Sequence, residues 1–142
     1  MFGVSTEGGV DRWMIFLSEG VFLGLDYDMI GFLREASSTP IEVGTHTIVD
    51  AAGDSLDDDD IGGVYWFGSP SSPITSVGVF TSDEGTLTIT SASSEWVEGT
   101  FSFSGTLDLG RGPDIVDVVN VTVAGSFTAE AGTIPSGAVA SN

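Results

Sequence analysis

Apolar and polar residues alternate through the second half of the chain. In Gly85-Thr-Leu-Thr-Ile-Thr-Ser91, Leu87 and Ile89 alternate with Thr86, Thr88 and Thr90. That period of two is the mark of a strand with one buried face. In residues 97–107, Val97, Phe101, Phe103 and Leu107 share one parity, and Glu98, Thr100, Ser102, Ser104 and Thr106 the other. Val119, Val121, Val123 and Phe127 repeat the theme against Asn120, Thr122 and Ser126. Leu87, Ile89, Phe101, Phe103, Val121, Val123 and Phe127 are therefore expected to form one buried face. Gly99, Gly105 and Gly125 fall on the inward parity, where glycine marks a bulge, a bend or close backbone approach.

The connections are equally readable. Residues 91–95 form a short polar turn, so a hairpin is expected there. Residues 109–114, Leu-Gly-Arg-Gly-Pro-Asp, form a longer loop before the last strand. Upstream, residues 13–17 and 21–27 flank Ser18-Glu-Gly20, a second hairpin signal. Residues 29–34, 45–49, 63–67 and 76–80 supply further strands. The total is about eight or nine, at the spacing of an antiparallel β-sandwich or flattened barrel. Residues 27–36 are the one stretch that could hold a helix, but Gly31 interrupts it and no i, i+3, i+4 stripe is present. The expected organisation is a single all-β domain over residues 1–130, then a Gly, Ala, Ser and Pro-containing tail over 131–142.

Composition narrows the function classes. The 142 residues include 21 acids against three Arg, one His and no Lys, for a formal net charge of −18. Nucleic acid and anionic lipid carry the same sign and are repelled, so no nucleic-acid partner is expected. Self-repulsion of this size is screened at high ionic strength, where the Debye length falls to ~3 Å at 1 M salt. The pattern therefore points to a halophilic or marine source, or to an acidic surface that maintains solubility. Nine Phe, three Trp and a 41% hydrophobic content argue against a disordered acidic chain. There is no Cys, which excludes disulfides, thiol nucleophiles and zinc–thiolate sites. No apolar run approaches the ~20 residues of a membrane helix. Residues 1–9 lack the basic and apolar regions of a signal peptide, so the expectation is either a start here after a removed signal or a chain that begins here naturally and stays inside the cell or virion.

Few residues offer chemistry. A Ser-His-acid triad would have to use His46, which shares the parity of Ile48 and reads as a semi-buried strand residue. Gly110-Arg-Gly-Pro has neither Walker spacing nor a following helix. No catalytic residue is expected. The conspicuous cluster is Asp54-Ser-Leu-Asp-Asp-Asp-Asp60. A carboxylate run can bind a hard cation, so Asp54, Asp57, Asp58, Asp59 and Asp60 are the candidate calcium ligands. Consecutive side chains diverge and EF-hand spacing is missing, so the plainer expectation is a solvated acidic loop. Asp26 with Asp28, and Asp114 with Asp117, are weaker groupings. Trp13, Trp66 and Trp96 raise a sugar-platform reading: Trp13 belongs to the apolar run Trp-Met-Ile-Phe-Leu and should be core, whereas Trp96 has the parity of the polar face. The sequon Asn120-Val-Thr122 falls mid-strand, where chance explains it.

The succession Gly-Thr-Leu-Thr-Ile-Thr-Ser, Val-Glu-Gly-Thr-Phe-Ser-Phe-Ser-Gly and Val-Asn-Val-Thr-Val-Ala-Gly-Ser-Phe resembles a group of uncharacterised bacterial secreted or lipoprotein-type domains. The segment Ile-Glu-Val-Gly-Thr-His-Thr-Ile, ending at Ile48, looks like their Gly-Thr-Tyr strand, with His46 in the aromatic place. The resemblance spans residues 41–127 and implies an all-β fold with no catalytic residues to carry over. The lipobox cysteine of such proteins is missing here. The expected role is a non-enzymatic extracellular or cell-surface module with a protein or glycan partner. Two alternatives stand beside it: a self-assembling, homo-oligomeric subunit of a filament or virion that uses strand addition, and a carbohydrate-binding domain.

Overall fold

A computed structural model of the chain describes residues 1–19, 27–51, 56–68, 78–108 and 118–132. Among the described residues there are eight strands: β1 (Phe2–Glu7), β2 (Val10–Glu19), β3 (Tyr27–Arg34), β4 (Gly44–Ile48), β5 (Ile61–Gly68), β6 (Gly78–Ala92), β7 (Trp96–Asp108) and β8 (Val118–Glu130). All strand pairs are antiparallel, in the order β1-β2-β3-β5-β6-β7-β8, with β4 paired to β6 off this path. The expected all-β antiparallel class is the one observed, as one sheet curled into a half-barrel. Among the described residues no helix is present, and residues 27–34 form β3.

Three strand boundaries differ from the pattern reading. The turn expected at Ser18-Glu-Gly20 does not form at Ser18 and Glu19, which close β2 and pair with Met29 and Asp28 of β3. Alternation places the first strand at 13–17, yet β2 begins at Val10 and β1 precedes it. Gly8 and Gly9 connect the two with φ of 59° and 83°. A two-residue hairpin turn of this kind needs positive φ, which glycine adopts at no steric cost. The stretch Thr81-Ser-Asp-Glu84 reads as a break between two strands, but β6 runs through it. A register irregularity between Ser82 and Glu84 absorbs the polar interruption. There β6 exchanges neighbours: residues 78–81 pair with β5 and residues 85–89 with β4. Ser82, fully buried, ties this fork together. Its hydroxyl donates to Val49 O (2.7 Å) and accepts from the Gly63 N–H (3.0 Å), while its carbonyl accepts from Ala51 N (2.8 Å). Residues 20–26, in the second expected hairpin, and most of the expected tail, residues 133–142, lie outside the described residues. Ala131 and Gly132 remain hydrogen-bonded, to Glu95 O and Phe2 O.

The concave face carries the core. It joins Phe2, Trp13, Ile15, Phe32, Ile48, Ile61, Leu87, Ile89, Val97, Phe101, Phe103 and Ala129 in one cluster. Of the face expected from alternation, Leu87, Ile89, Phe101 and Phe103 are buried, whereas Val121, Val123 and Phe127 pack on the core but stay half-buried. The reason is position, since β8 ends the sheet order and lacks a neighbour on one side among the described residues. Large and small residues alternate across β7 and β8: Phe101 faces Gly125 and Gly99 faces Phe127. A Cβ on Gly99 would lie 2.3 Å from Thr88 O and 3.0 Å from the Phe127 ring. The inward glycines thus allow the close approach that their parity indicates. A second, smaller cluster lies on the other face of β2 and β3, where Met14 and Leu33 are buried against Phe16 and Leu56.

Candidate functional site

Three surface features bear on function, and each is set by the sheet. The first is the convex face of β4, β6, β7 and β8. Its cross-strand rows read Thr45–Thr88–Thr100–Ser126 and Thr47–Thr86–Ser102–Ala124. Thr45 and Thr88 share a hydroxyl–hydroxyl hydrogen bond of 3.3 Å. These eight central positions hold no charge, in a chain of net charge −18. β-branched Thr favours a pleated surface on steric grounds, which accounts for its abundance here.

The second is the free edge of β8. β7 pairs with it at all thirteen positions, Trp96↔Glu130 through Asp108↔Val118, with no register irregularity. Among the described residues no strand pairs with its other edge. The first and last strands touch at one corner, where Phe2 bridges Ala131 and Gly132 N donates to Phe2 O (3.0 Å). Away from that corner the edge is open among the described residues. Edges of this kind are usually blunted by lysine, proline, a bulge or an inward charge. None of these occurs in residues 118–129.

The third is a shallow groove of about 600 Å³ at the β6–β7 turn, lined by Ser94, Glu95, Trp96, Glu98, Thr128, Glu130 and Ala131. Trp96 is 36% exposed, as its parity indicates, and Trp13 is a core residue at 2%. The Ser93 hydroxyl shapes the turn by accepting from Glu95 N (3.2 Å) and Trp96 N (3.1 Å). The groove offers an aromatic surface flanked by carboxylate acceptors. Nearby, burial lowers the pKa of the Met1 α-amino group, and Glu130 opposes that shift. The side chain of Trp66 lies outside the described residues.

The acidic run is exposed at Asp57, Asp58 and Asp59 while its backbone is anchored. Asp58 and Asp59 form a turn, with Asp59 at φ 68°. Asp59 N donates to Glu35 O (2.8 Å) and Glu35 N to Asp60 O (2.9 Å). The Asp60 carboxylate accepts from Asp57 N (3.0 Å), and Asp59 Oδ1 lies 3.2 Å from Arg34 Nε. The run is therefore docked on the end of β3 by backbone bonds and one ion pair. Asp54, Asp26, Asp114 and Asp117 lie outside the described residues. Among the described residues no group of three or more His, Asp or Glu side chains is arranged to hold a metal ion.

Two of the three arginines serve as structural ties. Arg12 Nε reaches both Glu35 carboxylate oxygens, at 3.0 and 2.9 Å, beside the smaller apolar cluster. Arg34 holds Asp59 and donates to Pro40 O (3.3 Å). Sequence reasoning did not single out Arg12, Arg34, Glu35 or Ser82. The scarcity of cations is the signal that could have found the arginines, because each has many acids to choose from. His46 is half-buried in β4, its Nε2 2.7 Å from Glu42 O, in keeping with its parity. No family model, no curated protein and no solved structure matches the chain. The likeness to uncharacterised bacterial domains thus stays a likeness of strand motifs.

Proposed function

We propose that this chain is a non-enzymatic extracellular or cell-surface module that engages a protein partner by strand addition along β8. The observation that carries this reading is the edge itself: thirteen residues in continuous register with β7, uncharged from Val118 to Ala129. An extended segment laid along such an edge gains main-chain hydrogen bonds, and its alternate side chains meet the two faces of the sheet. The acidic composition and the strand-motif resemblance support an extracellular, salt-rich setting.

Amide hydrogen exchange on the dilute monomer tests the reading. The β8 amides that point away from β7 should exchange fast, and a synthetic strand peptide copying residues 118–130 should slow them. If those amides are already protected in the monomer, the edge is covered and strand addition fails.

The Trp96 groove favours a second reading, a glycan ligand stacked on the indole and bonded to Glu95, Glu98 or Glu130. A glycan array compared between the native chain and Trp96→Ala decides it. Binding that survives the substitution would exclude this groove.

A further inference from the structure

We infer that the partner strand is β8 of a second copy, so that two half-barrels join edge to edge about a twofold axis. This rests on the strand-addition reading of the edge and names its occupant. An antiparallel strand pair about a twofold axis is self-complementary by construction, because each copy presents the same edge to the other.

The charge distribution selects the occupant. Two copies of a −18 chain repel, and the approach least opposed is along an uncharged segment. Residues 118–129 contain no acid although the chain carries 21. Glu130 is the one charged residue of β8 and sits at its end. A seam centred on Ala124 runs over residues 119–129, clear of the corner where Phe2 already bridges Ala131. The two Glu130 side chains then lie at opposite ends, about 40 Å apart at ~3.3 Å per residue. That is several times the ~8 Å Debye length at physiological salt. The edge also bears no charge with which to recruit a complementary charged peptide.

Packing agrees with this register. The centre at Ala124 keeps parity, so inward residues face inward residues. Val121 meets Phe127, and Val123 meets Gly125. Large thus faces small at Val123, as it already does where Phe101 faces Gly125 across β7 and β8. Val121, Val123 and Phe127 are the half-buried apolar residues of this face, while their β7 neighbours Phe101 and Phe103 are 7% and 1% exposed. A second copy would cover the side left open. On the outer face Thr122 meets Ser126 and Asn120 meets Thr128, all exposed in the single chain.

Sedimentation of the full chain across protein and salt concentrations tests the seam. Dimer formation is expected, and it should strengthen from 0.1 to 1 M NaCl as repulsion is screened. The double variant T122E/S126E sets like charges opposite each other at two rows and should return the chain to monomer, with an unchanged circular dichroism spectrum. T122K/S126E sets unlike charges at the same rows and should restore the dimer. A monomer at every concentration and salt overturns the seam. If the strand peptide still protects the edge amides of that monomer, the strand-addition reading survives without the homotypic partner. A dimer that T122E/S126E leaves intact overturns the proposed register and places the contact elsewhere.

Discussion

On β2, Ile15 is buried and so is its neighbour Met14; on β7, Phe103 is buried while Ser102 beside it is exposed. The two ends of the sheet differ throughout in this way. Around β2 and β3 both faces are covered. The concave face joins the main core, and the convex face holds Met14, Leu33, Phe16 and Leu56 with the Arg12–Glu35 pair beside them. Around β6, β7 and β8 only the concave face is covered, and the convex face is a field of Thr and Ser. The sequence shows the same contrast, as an unbroken Trp-Met-Ile-Phe-Leu run against strict alternation. A run without alternation marks a strand buried on both faces. The cations follow the same division: Arg12 and Arg34 both brace the two-sided end, Arg12 on the half-buried Glu35 and Arg34 on the exposed Asp59.

The largest expected effect is at the shared core. Phe103→Ala should destabilise the fold by roughly 3–5 kcal/mol in urea unfolding, because the ring is almost fully buried and packs edge-on against Phe32 at 5.8 Å. A cost below about 1 kcal/mol would mean that the concave face is not a packed core. A paired measurement then addresses the contrast directly. Met14→Ala on the convex face of β2 should cost roughly 2–5 kcal/mol. Ser102→Ala on the convex face of β7 should stay within about 0.5 kcal/mol, as an exposed site away from any tie. Equal costs would abolish the distinction between the two ends.

Smaller again is the Arg12 tie. Arg12→Met leaves the Glu35 carboxylate without these two hydrogen bonds, at 17% side-chain exposure. The expected loss is roughly 1.5–3 kcal/mol, the range for hydrogen bonds to charged groups. It should persist in 1 M NaCl, since partly buried pairs are screened less than exposed ones. A loss that vanishes with salt would make the pair an ordinary surface contact.

The smallest effect concerns cations at the acidic run. Sodium chloride should raise the melting temperature by general screening, and millimolar calcium at matched ionic strength should add little beyond that. Replacing Asp57, Asp58, Asp59 and Asp60 with Asn should leave the calcium response unchanged. A calcium-specific rise that the Asn variant abolishes would establish a site, because a bound ligand stabilises the native state in its own right. Equal melting temperatures in low and high salt would remove the halophilic reading.

Alternation in residues 85–91, 97–107 and 119–127 was enough to place three strands and their inward faces, parity placed Trp96 and His46, and an unbroken apolar run placed Trp13. Each of these depends on side-chain spacing within a few residues, which is local. Other features were legible but unread: Gly8-Gly9 is a hairpin turn by its φ demands, and Phe2 and Val4 alternate ahead of it. The candidate interaction edge was visible as an uncharged valine-rich strand, but nothing local marks a strand as terminal in its sheet.

The sequence by itself determined the all-β class, the one-sided burial of the later strands and the acidic surface. These follow from side-chain chemistry and spacing of two residues. Tertiary structure decided the rest. Strand order left β8 with an open edge and its three apolar side chains half-buried. Long-range pairing set Ser82 at the fork of β4, β5 and β6, and the contact between residue 35 and the acidic run turned Asp59 into a partner for Arg34. Such outcomes depend on which segments meet across tens of residues. That is fixed by the total burial and hydrogen bonding of the sheet, not by any short stretch of it.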